Sequence, residues 1–495
     1  MVQVTESLKN AIRQIATKGD PIVLVGAAGS GKSTVIESLA LNEDVQNILA
    51  MREGESVSQA NVIVTDFSEI PEDCLITTVK LRPVKDVNLF DDNVWLGRII
   101  YLALAETQAG DEEDYRKNLE KQLDWELEHP VSGTLACHLQ KIEKCDRAEL
   151  LDAICSFPFG KISLLYKEAL VKSDSSHENV DLVFSRLLSN PRVCYENIRA
   201  FWKIVNALDG KRYESLKSKL EGRGLVLEPT ISRYEFTVVF NKDTMKDSTI
   251  AEIANTLLSP TYSESFLVED TTLIFRGRKS LFEVDGADSF TVLEKENGEK
   301  VHCLRFIDTK GFCSEIGTTV DDEMQRIENI LAWYYGDKAV FVVNANYSGY
   351  AEDVDKVLCR FFADTRRKRR LKVYFLYTRW DTYLSSCCTK ANRFKHGKEK
   401  VHQSEVYEAA KNSLNDRTKF FENALKINSS IKKPVIKGSY DAALPSCTDT
   451  VATILENNNV SYFEALDKMI ADMASKDKGK ITEKKQEQAS TMSIF

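Results

Sequence analysis

No stretch of about 18 consecutive apolar residues occurs in the 495-residue sequence, so no segment reads as a membrane-spanning helix. The opening twenty residues, Met1 to Asp20, also lack the apolar centre of a secretory signal. They read as a polar amphipathic helix with Leu8, Ile12 and Ile15 on one stripe. The eleven cysteines are odd in number and follow no disulfide framework, and with only six histidines they point to reduced thiols in a cytoplasmic protein. Excess positive charge is missing too. The net charge of −9 gives no global attraction toward nucleic acid or an anionic membrane, so either partner would need a local patch. What is present is a globular composition, 43% hydrophobic and 28% charged, in a chain too long for one ordinary core. Two or three domains, or one domain with a large insertion, are expected.

The most informative stretch is Gly26-Ala27-Ala28-Gly29-Ser30-Gly31-Lys32-Ser33-Thr34. It follows the apolar run Ile22-Val23-Leu24-Val25 and precedes the periodic positions Val35, Ile36, Leu39 and Ala40, so it reads as strand, glycine-rich loop and helix N-terminus. Glycines let backbone N–H groups converge on a polyphosphate, and the helix dipole adds positive potential there. In this pattern Lys32 reaches the outer phosphates and the Ser33 hydroxyl ligates magnesium (Mg2+).

Downstream, a helix is expected to about Leu49, then a polar loop from Arg52 to Gln59. Two strand-like runs follow, Val62 to Phe67 and Leu75 to Leu81, separated by the turn Pro71-Glu72-Asp73, and they read as a hairpin. From about Asn88 a series of helical patterns begins, including Asp111 to Glu128, Arg147 to Ile154 capped by Asp146, Ile162 to Leu170, and Val193 to Ala207, punctuated by Pro158, Gly160, Pro191 and Gly210. Strand patterns return at Tyr234 to Phe240, Phe266 to Val268, Thr272 to Phe275 and Phe290 to Leu293. The hairpin signal Asn297-Gly298 then leads into Lys300 to Ile307. Strands at Ala339 to Val343 and Lys372 to Tyr377 alternate with helices at Glu323 to Tyr335 and Ala351 to Phe362. A long polar helix near Ser404 to Lys426, a short strand Pro434 to Lys437 and a last helix near Tyr462 to Met473 complete the pattern.

Two further sites carry chemistry. The strand ending Phe306-Ile307-Asp308 leads into Thr309-Lys310-Gly311. Here Asp308 is placed to hold magnesium through water and Gly311 to offer its N–H to a terminal phosphate. At Tyr377-Thr378-Arg379-Trp380-Asp381, the acidic side chain suits the N1–H and N2–H donor pair of guanine, which adenine lacks. The Arg379 stem packs over the base.

With these residues in view, the chain resembles a GTPase of the translation-factor-related class of phosphate-loop proteins, the Ras-, dynamin- and septin-like group. Thr378-Arg379-Trp380-Asp381 is similar to the threonine variant of that family's base-recognition motif, with arginine for lysine. The resemblance implies a small residue contacting the base, for which Ser439 in Lys437-Gly438-Ser439 is the candidate. It also implies a magnesium-binding hydroxyl in the loop after the first helix, where Ser56 and Ser58 are available and Ser58 is chosen. The implied cofactor is magnesium and the implied ligands are GTP and GDP. The resemblance covers about 20–85 and 300–445. The helical block resembles in architecture the insertion of heterotrimeric G-protein α subunits, entering later in the chain, and is expected to act as a lid or partner-binding module.

Departures from the family matter as well. Phe312 stands where Ras-like members carry a glutamine that positions the attacking water, and a phenyl ring can neither accept from nor orient water. Hydrolysis is therefore expected to be slow, with a group supplied elsewhere in the chain or by a partner or second copy. Lys310 replaces a proline and either faces solvent or assists charge stabilisation. The run Arg366, Arg367, Lys368, Arg369 and Arg370 is a solvated edge or a contact for phosphate, RNA or an acidic partner, or a nuclear signal. Cys387, Cys388, His396 and His402 are either a zinc site or a loop, and adjacent cysteines chelate poorly.

The expected fold is therefore α/β, a doubly wound phosphate-loop NTPase sheet like a G domain with an inserted all-helical domain. Residues 1–87 form the first part of the G domain, 88–230 the insertion, 231–475 the second part and 476–495 a disordered tail. Lys32 and Gly311 are the expected catalytic groups. The expected function is slow, partner-stimulated GTP hydrolysis. An ATPase sharing the loop and a nucleotide-binding pseudo-GTPase scaffold stand as alternatives.

Overall fold

The computed structural model describes the chain from Asp20 to Ala474, together with residues 10, 12 and 15. Within that span it omits residues 28, 53–59, 82–92, 109, 130–138, 140–143, 177–178, 223–227, 230–233, 259–266, 296–297, 310, 312–319, 334–337, 346–350, 364–371, 395–402, 427–434, 442–452, 456 and 459–462.

Among the described residues, eleven strands build one mixed sheet: β1 (Ile22–Val25), β2 (Ala60–Thr65), β3 (Leu75–Leu81), β4 (Glu228–Pro229), β5 (Tyr234–Phe240), β6 (Val268–Arg276), β7 (Thr291–Glu294), β8 (Lys300–Asp308), β9 (Lys338–Asn344), β10 (Lys372–Thr378) and β11 (Val435–Asp441). Their order is β11-β10-β9-β1-β8-β2-β6-β3-β5-β4, with β7 paired to β8. Strands β8, β1, β9, β10 and β11 run parallel. Beyond β8 the ladder turns antiparallel at β2, and β6 returns parallel to β2.

The near-continuous apolar runs of β1, β9 and β10 follow from burial on both faces. Ile22 and Leu24 join one core with Val340, Val342, Tyr374 and Leu376. The alternate residues Val23 and Val25 join the opposite core with Phe341, Phe375 and Tyr377. The first face is covered by the helices Lys32–Leu39, Glu43–Ala50 and Ser248–Leu258, the second by Val320–Trp333, Ala351–Ala363, Trp380–Phe394 and Gln403–Lys426. On the second face a buried clamp fixes the helices. Arg417 reaches Asp355 at 2.6 Å and the Asn344 carbonyl at 3.0 Å, so one side chain ties two helices to the end of β9.

Between β3 and β4 the described residues form the helices Val94–Glu106, Glu112–Glu128, Lys144–Cys155, Phe159–Ser176, Val180–Leu188 and Pro191–Glu221. These helices share a core drawn from residues 95–208. The last of them continues past it, and Tyr213, Leu216 and Leu220 pack into the sheet core. Residues 463–474 form a helix on that same core through Leu466, Met469, Ile470 and Met473. Arg278 fastens it, donating to Asp467 at 3.0 Å and lying 4.5 Å over the Phe463 ring. Among the described residues, no helix is long and apolar enough to cross a membrane.

Several local expectations change. The expected hairpin of β2 and β3 does not form, because β6 inserts between them, parallel to β2 and antiparallel to β3. Val268, the end of the first expected run, and the whole of Thr272 to Phe275 belong to that one inserted strand, while Phe266 lies outside the described residues. The first long helix is two, Lys32–Leu39 and Glu43–Ala50. Asn42 caps the second by accepting from the Asp44 N–H at 2.7 Å. Gly210 lies inside Pro191–Glu221 rather than ending it. The apolar stripe carried on by Leu208, Tyr213 and Leu216 outweighs a glycine cost of about 1 kcal/mol. Asp146 lies in the first turn of Lys144–Cys155 and pairs with Lys211 at 2.8 Å. Cys387 and Cys388 sit on the helix Trp380–Phe394 against the second core, not in a loop. His396 and His402 lie outside the described residues. The Gly298 turn joins β7 to β8 as its sequence predicts, with φ of 83°.

Candidate functional site

Because β8, β1, β9 and β10 are parallel, their carboxyl ends lie along one edge of the sheet. That edge receives Asp308, the glycine-rich loop, Asn344 and Thr378. In open α/β sheets this edge is where ligands bind.

The loop is built for close backbone approach. A side chain at Gly26 would meet Ser30 Oγ and the Val342 carbonyl, both at 2.5 Å, so no larger residue fits. Ser30 N–H donates to the Ala27 carbonyl at 3.1 Å and closes the turn. Gly31 has φ of 93°, the left-handed region, and is the N-cap of Lys32–Leu39 without a capping side chain. The first N–H groups of that helix therefore face the loop uncapped by a side chain. Ser33 and Thr34 lie in its first turn, half-buried, and Gly29 is exposed at the turn.

Lys32 is 8% exposed and bends back over the loop, donating to the Gly26 carbonyl at 2.9 Å and to the Ala27 carbonyl at 3.1 Å. Burial lowers its pKa to about 8, against the opposing pull of the Asp308 carboxylate. Asp308 ends β8 in register with Leu24 of β1, and the next residue, Thr309, donates to the Leu24 carbonyl at 2.6 Å. Its carboxylate accepts from Arg52 at 3.0 Å, and both side chains are about 5% exposed or less. Gly311 follows, half-buried.

Thr378 ends β10 and couples the two motifs. Its Oγ1 donates to the Ser30 carbonyl at 2.6 Å, and its methyl lies 3.5 Å from where a Gly31 Cβ would sit. Arg379, with φ of 56°, is the one non-glycine residue at positive φ among those described, which marks strain at this strand-to-helix turn. Trp380 is fully buried and stacks on Tyr383, anchoring the turn. Asp381 then stands in the first turn of Trp380–Phe394, and its Oδ1 is buried without a hydrogen-bond partner. The Ser30 hydroxyl is likewise buried and unpartnered. Both atoms keep hydrogen-bonding capacity that a polar ligand at this edge could use.

Lys32, Asp308, Thr378 and the loop are thus brought together directly, and Asp381 lies three residues beyond Thr378. Ser439 lies within β11, in register with Phe375; the strand runs on through the segment expected to be a loop. Ser58, Lys310, Phe312 and the run Arg366 to Arg370 lie outside the described residues. Arg52 was not singled out by its sequence, where it reads as one polar residue in a loop. Its partner is 256 positions away, and no local signal reveals such a pair. For a metal, the oxygen donors at hand are Ser33 and Asp308. No group of three or more His, Cys, Asp or Glu side chains converges among the described residues. Comparison with protein-family models, with curated proteins and with solved structures finds no match to this chain.

Proposed function

We propose that this chain binds GTP and hydrolyses it slowly to GDP and phosphate, as a partner-stimulated switch built on a phosphate-loop G domain with a helical insertion. The observation that carries the reading is the pairing of loop and base motif. The end of β10, three residues before the unpartnered Asp381 Oδ1, is hydrogen-bonded through Thr378 to the loop bearing Lys32. Polyphosphate and guanine then have adjacent places along one sheet edge.

In this reading the loop N–H groups and the helix N-terminus bind the phosphates, and Lys32 leaves the loop carbonyls to neutralise charge on the outer one. Gly311 offers an N–H to the terminal phosphate as water attacks it. Asp381 accepts from N1–H and N2–H of guanine. Magnesium, when bound with the nucleotide, would supply neutralisation of phosphate charge. Ser33 and Asp308 fit it as hard oxygen donors, and a nucleotide-borne magnesium needs few protein ligands. Phe312, where a water-orienting glutamine would stand, keeps unaided turnover slow.

The test is titration of the purified chain with GTP and ATP in magnesium, followed by turnover. GTP is expected to bind, and Asp381→Ala to weaken GTP by about 2–3 kcal/mol, on the order of a hundredfold, while leaving ATP unchanged. Preference for ATP selects an ATPase, binding without turnover even with a partner selects a scaffold, and binding of neither overturns the reading.

A further inference from the structure

Asp308, which the proposed chemistry assigns to magnesium, is held in an ion pair by Arg52, to which that chemistry gives no role. The pair lies at the carboxyl end of β8, beside the loop, with a 3.0 Å contact and side-chain exposures of 5% and 4%. The position is set by the fold. Ala60 opens β2 in backbone register with Asp308, and Arg52 follows the helix Glu43–Ala50, so the segment joining that helix to β2 begins at the Asp308 carboxylate and ends beside the Asp308 backbone. Lys32 is near enough for its charge to feel the same group.

The carboxylate is thus paired with one buried cation, Arg52, and a second, Lys32, adds positive charge nearby while bonded to the loop carbonyls. Arginine keeps its charge at any accessible pH, so the pair opens only if Asp308 receives another cation and Arg52 another anion. A divalent cation alone meets the first need and violates the second, adding charge beside Lys32 and a released guanidinium. A divalent cation arriving on a polyphosphate meets both. We propose that Arg52 is an exchangeable counter-ion of Asp308: it occupies the carboxylate until a magnesium–nucleotide pair displaces it, and then moves onto the phosphates. Metal and nucleotide therefore load together. The inference rests on the nucleotide reading above and deepens it by assigning Arg52 a nucleotide-binding role.

The test is a magnesium titration of GDP binding, with melting midpoints in parallel, on the full chain and on Arg52→Gln. Magnesium alone is expected to leave the wild-type midpoint unmoved. In Arg52→Gln the magnesium needed for half-maximal GDP binding falls by about tenfold, magnesium alone raises the midpoint, and GDP affinity at saturating magnesium weakens. These opposite signs separate exchange from a purely structural pair, whose loss lowers the midpoint and leaves the magnesium requirement unchanged. Should Arg52→Gln fail to fold, Arg52→Lys keeps the charge with a single ammonium, and its magnesium requirement falls by a smaller factor. An unchanged requirement in the folded variants, with wild type binding GDP, overturns the exchange alone. No nucleotide binding by wild type overturns the exchange and the reading beneath it.

Discussion

Lys32 is under opposing demands. Its ammonium is held among loop carbonyls by two hydrogen bonds, yet burial lowers its pKa to about 8 from the ordinary lysine value of 10.5. Between these values the unfolded chain carries a proton that the folded one has shed. The lysine's contribution to stability is therefore least favourable below pH 8 and improves as pH rises from about 8 toward 10.5. Replacing it with an apolar side chain removes that cost. Lys32→Met is expected to raise stability at pH 7 by about 1–2 kcal/mol net of its lost hydrogen bonds, while abolishing nucleotide binding. A lower melting temperature would contradict this. The same titration sets the pH dependence of binding. A polyphosphate wants the charged lysine, so affinity falls above pH 8 by up to about tenfold per pH unit, and calorimetry in buffers of different ionisation heat should show proton uptake.

At the scale of elements, the phosphate loop depends on β10. Thr378→Val keeps the shape but leaves the buried Ser30 carbonyl without its 2.6 Å donor, a loss of about 1–2 kcal/mol. Nucleotide affinity should drop roughly tenfold for GTP and ATP alike, unlike the base-selective loss at Asp381. In the helical block the contact between Val94–Glu106 and Val180–Leu188 depends on Gly97. A Cβ there would fall inside the Ser185 side chain and 2.8 Å from its Cα. Gly97→Val must push these helices apart at about 1–3 kcal/mol, read as a lower melting temperature of the helical signal. The glycine-rich loop was legible because its glycines, its lysine and the flanking periodicities are local. The failed hairpin of β2 and β3 was not, because the intruding β6 lies some two hundred positions downstream.

For the whole molecule, the helical core drawn from residues 95–208 is separate from the three cores that flank the sheet. The helix Pro191–Glu221 is shared between them, which ties the block to the sheet through Tyr213, Leu216 and Leu220. Scanning calorimetry is expected to resolve two transitions. GTP at about a hundred times its dissociation constant should stabilise the sheet by about 2.7 kcal/mol, while Gly97→Val shifts the other transition. One transition moving as a unit under both changes would show that the shared helix couples the cores.

The sequence alone determined that β1, the loop and the following helix form one unit, since alternation, glycine and helix periodicity act over a few residues. It also marked Asp308 and Asp381 as carboxylates at strand ends. It did not reveal that β6 would enter the sheet between β2 and β3, that Thr378 would reach Ser30, or that Arg52 would take the Asp308 carboxylate. Those pairings join residues far apart in the chain. Their partners are selected by sheet order and by the need to satisfy buried polar groups, and both exist only once the strands have assembled.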